Sequence, residues 1–224
     1  MIARFPPLGM VVAFALVIAG CNIVTPLAYV VTPEPTVEAQ FELANRPTVV
    51  FVDDRRNVVS PSSLRRVIAD RATELLIKEG VLTPETAIRP RDALGVAMAR
   101  DKSGDLLPID EIGRAVGAEQ IIYVEMYAFT GTVDGVKPQP GAAFQVKVLD
   151  IENRERLFPV PEPDGPESLP VKSYGRTMSP ELYQSRSSRI QIFETLALQV
   201  GQDVAQVFYD HRPEDVLGSR LEAP

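Results

Sequence analysis

Tryptophan is missing from the 224 residues, and cysteine and histidine occur once each. One thiol makes no internal disulfide and builds no four-cysteine or paired Cys/His zinc site. Positive charge is also scarce: 23 Lys and Arg stand against 30 Asp and Glu, for a net charge of -7 and a pI near 4.9. A phosphate backbone calls for a concentrated basic surface, so no nucleic-acid partner is expected. Neither a GxxxxGK[ST] loop nor a GxGxxG loop is present, which removes the usual phosphate cradles. What is there is ordinary: 45% hydrophobic and 24% charged residues with 20 prolines. That balance excludes collagen-like, coiled-coil and wholly disordered chains, and the length allows one core with extras.

The first 20 residues, MIARFPPLGMVVAFALVIAG, carry Arg4, no acid, and an apolar run from Leu8 to Ile18 that ends in Ala19-Gly20. This is the layout of an export signal. At 1.5 Å per residue the run is too short to cross about 30 Å of hydrocarbon. Val17, Ile18, Ala19, Gly20 and Cys21 together resemble the bacterial lipobox, an aliphatic residue and two small ones before a cysteine. The resemblance implies cleavage before Cys21 and acylation of that residue, with palmitate among the chains, so that a covalent lipid takes the place of any cofactor. The other reading of Cys21 is a plain thiol in a signal-anchor helix. Acyl chains add about 0.8 kcal/mol per buried methylene, enough to hold the protein on a membrane without a spanning helix. Asn22 stands where an aspartate would favour inner-membrane retention, which by resemblance leans toward the outer membrane, with the protein facing the periplasm.

Residues 21–46 then read as a lipidated terminus and flexible tether, with prolines at 26, 33 and 35 and scattered acids. About 25 residues reach at most about 80 Å. An apolar stretch, Ile23 to Val31, could instead pack back as a strand.

From 47 to 210 the pattern is that of one α/β domain. Thr48–Val52 is a β-branched run suited to a central strand. Ser60-Pro61 offers an N-cap and a first-turn proline ahead of a helix whose apolar stripe is Leu64, Val67, Ile68, Ala72, Leu75 and Leu76, stopped by Gly80. Residues 81–88 suggest a connection or short edge strand and 91–100 a weaker helix. Pro108-Ile109-Asp110-Glu111 opens another helix, capped by Gly117. Two strands follow, at 121–129 and 143–151, with a short one at 156–160. The five prolines between 159 and 170 predict an exposed loop. Ile190, Phe193, Ala197, Val200, Val204 and Val207 mark a long helix that packs on the sheet or pairs as a coiled coil. The expected architecture is a single two-layer sandwich, a mixed sheet of about 4–5 strands with amphipathic helices packed on it, followed by a polar tail over 211–224.

Within this order, Gly117-Ala118-Glu119-Gln120-Ile121-Ile122-Tyr123-Val124 resembles the glycine-alanine-acid and hydrophobic-strand element of the CsgG-like and penicillin-binding-protein-activator lipoproteins, and is also similar to the N-terminal domain of TolB. An opening strand and capped helix precede that element in the family, as Thr48–Gly80 does here. A strand ending in aspartate follows it, as Val146–Asp150 does here. Glu119 replaces the family's aspartate, and no segment matches those that the pore-forming branch uses for a membrane barrel. The resemblance implies a non-enzymatic envelope lipoprotein that binds other proteins. Its alternative is a subunit of an oligomeric, self-associating outer-membrane secretion or transport assembly.

Candidate chemistry is thin. Asp53-Asp54 follow a central strand, where open α/β sheets keep ligands, and with Asp150 or Glu152 they could hold a hard cation or simply form a polar turn. His211 would need a nucleophile and an orienting partner to act as a base; otherwise it is a helix-end histidine. No catalytic residue and no metal ligand is assigned. The expected partner surface comprises Tyr123, Glu125 and Tyr127 on one strand face, with Pro161 and Pro163 in the loop, since exposed aromatics and irregular loops often carry binding.

Overall fold

Thr48–Asp53 form β1, buried on both faces from Thr48 to Val52 as befits a central strand. These and all later positions come from a computed structural model, which describes residues 36–101, 107–132 and 138–213. The described residues from Val37 onward belong to one compact unit. Cys21 and the motif Val17–Gly20 lie outside the described residues, as do most of the tether and residues 214–224.

After β1, helix α1 spans Leu64–Lys78 and buries Leu64, Ile68, Ala72, Leu75 and Leu76. It begins later than Ser60-Pro61 predicts. Ser63 precedes it with helical dihedrals and no side-chain cap, while Pro61, Ser62 and Ser63 accept from the amides of Leu64, Arg65 and Arg66 in a lead-in turn. The cause lies upstream. The Asp54 carboxylate accepts the N–H groups of Val58 and Val59, both at 2.8 Å, and so draws Val59 into the core before the chain is free to coil.

The chain continues through β2 (Ala87–Ile88), α2 (Pro90–Asp101) and α3 (Ile109–Val116). Gly117 ends α3 at φ +74°, a left-handed conformation that side chains resist. Then come β3 (Gln120–Thr130), β4 (Gly141–Asp150), β5 (Arg156–Phe158), β6 (Leu169–Tyr174), α4 (Pro180–Gln184) and α5 (Arg186–Ala205), with a 3-10 turn over Gln206–Phe208.

The sheet runs β2-β1-β3-β4-β5, and β6 pairs beside β5 on the same edge of β4. β1 is parallel to β2 and β3, whereas β4 is antiparallel to β3, β5 and β6. This is the expected mixed sheet with amphipathic helices packed on it. α1 and α5 cover one face, over Val50, Val52, Ile122, Val124, Phe144, Val146 and Val148. The opposite face is covered as well, by α2 and α3 over Val49, Phe51, Ile121 and Tyr123. The expected two layers thus become three over β1 and β3, because Ala93, Leu94 and Ile112 supply an apolar second cluster. On β4 the residues of that face, such as Gln145 and Lys147, stay half-buried.

Two expectations change at the proline-rich segment and the tether. Pro170 belongs to β6, paired opposite Gln145, so the loop covers 159–168. An edge strand tolerates proline because one side of its backbone needs no ladder partner. Residues 37–46 pack on the domain: Val37 and His211 exchange backbone hydrogen bonds at 2.8 and 3.0 Å, and Gln40 donates to Val207. Leu43 is buried, and Phe41 packs against Phe158 and Phe208. Apolar Phe41 and Leu43 are what a free tether would leave in water. No helix among the described residues is long and apolar enough to cross a membrane.

Candidate functional site

The β3 face singled out by sequence sits where β1 ends beside the middle of parallel β3, with Asp53 in register with Glu125. Tyr123 is not part of an open surface. It is 3% exposed, its ring stacks at 6.3 Å on Phe51, and α2 and α3 close over it. Its hydroxyl donates to the Asp53 carboxylate at 2.5 Å. Arg55 Nε donates to the same oxygen at 2.8 Å, and Lys147 Nζ lies 4.7 Å above the Tyr123 ring. Burial, then the bond to Asp53, pushes the Tyr123 phenol far above the usual tyrosine range. The Asp53 hydrogen bond likewise holds the Arg55 guanidinium up.

Further along, Glu125 and Tyr127 are half-buried. The β3–β4 register shifts between Met126 and Ala128, so Tyr127 is the extra residue of a bulge. Its hydroxyl donates to Gln145 Oε1 at 3.0 Å, and the Arg56 guanidinium lies 4.5 Å over its ring. Burial, followed by the Glu125 carboxylate, raises its phenol too. The face is therefore a ladder of cations, aromatics and carboxylates that satisfy one another. Gln145, Lys147, Arg55 and Arg56 were missed by sequence reasoning, and only the strand register, invisible in composition, brings them here.

The aspartates do not converge. Gln120 pairs with Asp150 at the start of β3, five residues before Glu125 and Asp53, so about 16 Å of strand separates the two ends. Asp54 is used up by the amides of the 54–59 loop. Asp150 joins a second cluster: Arg46 Nη2 donates to it at 2.9 Å and Arg46 Nε to Gln120 Oε1 at 3.1 Å. Fully buried Gln120 donates onward to the Ala44 carbonyl and to Thr48 Oγ1. The Asn153 amide, and then Arg46, hold the Asp150 carboxyl below the usual range. Among the described residues no three His, Cys, Asp or Glu side chains gather as a metal-ligand set.

His211 forms an isolated strand bridge with Val37 and packs on Tyr209, closing the chain's entry against its exit. Pro161 and Pro163 are exposed in the 159–168 loop.

No family model matches the chain, and no curated protein matches it. Among solved structures it is similar to protein XCC0632 from Xanthomonas campestris, at 12% identity and TM-score 0.47, over 79% of this chain and 88% of that one. It is similar also to lipoprotein GNA1162 from Neisseria meningitidis, at 11% identity and TM-score 0.37, over 70% and 97%. A third is the C-terminal domain of LpoB from Escherichia coli, at 17% identity and TM-score 0.31, over 59% and 85%. Overlaps of this size leave the fold resting on the topology above. The likeness to the CsgG branch and to TolB remains an implication of the 117–124 block.

Proposed function

We propose that the protein is a non-enzymatic, lipid-anchored module of the bacterial envelope that binds another envelope protein. The observation that carries this reading is the lipobox Val17–Cys21 ahead of a single small domain. The geometry supports it. The side chains best suited to chemistry, Asp53, Asp54 and Tyr123, are committed to contacts that hold the fold, and the His211 ring packs on Tyr209. Between Cys21 and the first packed residues, about fifteen residues of tether give the domain a reach of up to about 50 Å from its anchor. Glu125, Tyr127 and the loop prolines Pro161 and Pro163 form the proposed contact surface, beside half-buried Gln145 and Lys147 on the uncovered part of the sheet.

The test is affinity purification of the tagged lipoprotein from crosslinked cells, with Cys21→Ala beside it. The reading predicts recovery of one envelope protein, with yield falling sharply when the lipid is removed. Recovery chiefly of the protein itself, as a ladder of crosslinked copies, contradicts it and favours the oligomeric-assembly alternative.

A further inference from the structure

The last helix carries more apolar surface than the core uses. Ala197, Val200 and Val204 of α5 are buried, but Ile190, on the same stripe, is 50% exposed. Between the first turns of α5 and the start of α1 lies a groove of about 340 Å³. Its floor is Leu64, Val67, Ile190 and Phe193, with Phe193 held from below by stacking on Phe129 at 5.6 Å. Its rim carries Arg66, Arg186 and Arg189 against the lone acid Glu194. Arg66 makes only a long contact, 3.8 Å, with exposed Asp70. Among the described residues, Arg186 and Arg189 form no ion pair. In a chain of net charge -7, three arginines against one acid along the groove make a local excess of positive charge. Both helices also begin here, so their positive dipole ends add to the rim.

We infer that this groove docks an amphipathic helical segment of a partner protein, with an apolar side chain on the Leu64–Phe193 floor and carboxylates on Arg66, Arg186 and Arg189. The inference rests on the protein-binding reading above and adds a second surface and a partner chemistry to it. Guanidinium forks match carboxylates two bonds at a time, and arginine beside buried apolar anchors is the composition of interface hot spots. Apolar anchors at helical spacing fit a trough between two helices.

The nearest rival occupant is the chain's own end. The chain enters and leaves the domain at the other end of α5, where Val37 meets His211. The groove is lined by α5 residues as far as Glu194, so the eleven residues 195–205 separate it from that end, about 17 Å at 1.5 Å per residue. Residues 214–224 span at most about 36 Å and carry Glu214, Asp215 and Glu222, so capture of the chain's own end at position 190 also overturns the inference.

The test uses the full acylated lipoprotein in cells, with a photoactivatable benzophenone amino acid in place of Ile190 and, in separate strains, of exposed Met98 and Val160. The inference predicts a single protein adduct from position 190, whose crosslinked peptide is rich in Asp and Glu. It also predicts that Arg186→Glu with Arg189→Glu lowers the yield at least about tenfold, while an unchanged melting temperature shows that the fold is kept. Adducts from position 98 or 160 but none from 190 overturn the groove and leave the protein-binding reading standing. Absence of protein adducts at every position overturns both. Capture at 190 of lipid, nucleic acid, a second copy or a peptide without acids, or a yield indifferent to the charge reversal, overturns the inference.

Discussion

Gln120 shows how a single polar residue in a core sets its surroundings. It is fully buried, and an unpaired buried amide costs about 1–3 kcal/mol, so Arg46, Thr48 and the Ala44 carbonyl are arranged around it. Asp150 completes the set through Arg46. Asp150→Asn is expected to cost about 1–3 kcal/mol in urea unfolding at neutral pH. The Asp150 carboxyl is held low in the fold, so its contribution is full above the unfolded aspartate value of about 3.9 and is lost as pH falls through the folded value. The gap between wild type and variant should therefore be constant near neutrality and close below about pH 4; a gap unchanged into strong acid contradicts the assignment. Tyr123 behaves in the opposite sense. Its phenol is held high, so the neutral form stabilises the fold until alkaline pH. Ultraviolet titration should release the same number of phenol protons from wild type and Tyr123→Phe up to about pH 11, and Tyr123→Phe should lose about 1 kcal/mol. Neither side chain announced its role in sequence. Tyr123 alternates with Ile122 and Val124 like any solvent-facing residue, and only the closure of α2 and α3 over it reverses the reading.

At the scale of elements, α1 and α5 pack on each other over one face of the sheet. Gly201 lies where the helices cross: a Cβ there would come within 2.6 Å of the Ile68 carbonyl oxygen and 2.8 Å of Arg71 Cβ. Backbone cannot yield as a flexible side chain does, so Gly201→Ala should separate the helices at about 1–3 kcal/mol, a fall of about 3–10 °C in Tm. Gly95 in α2 is the control, since a Cβ there meets nothing within 4 Å, and Gly95→Ala should be neutral or stabilise by up to about 1 kcal/mol. Calorimetry of both variants checks the pair. The strands and long helices were legible because period-2 and period-3.6 burial is written in β1, β3, β4, α1 and α5, and Gly117 marked the end of α3 in advance. β6 and α4 were not legible. Pro170 masks a strand whose edge position makes proline acceptable, and α4 has no buried residue to impose a period.

For the whole molecule, charge, anchor and fold point the same way. The domain is acidic, its entry and exit are clasped together at Val37 and His211, and Arg66, Arg186 and Arg189 gather beside the groove at the start of α5. The resemblance of Val17–Cys21 to a lipobox can be read in sequence because it is a local string, whereas the arginine groove cannot, since Arg66 and Arg186 are far apart until α1 and α5 pack. Central to the account is that the chain is a membrane-tethered module, and acylation at Cys21 is the step on which the rest depends. The most direct measurement is metabolic labelling of the full chain with an alkyne palmitate analogue, read together with the mass of the mature N-terminus. The account predicts a labelled protein that begins at Cys21 and partitions with membranes, and an unlabelled, uncleaved Cys21→Ala. A mature wild-type chain with a free thiol and no label, released from membranes, would contradict it.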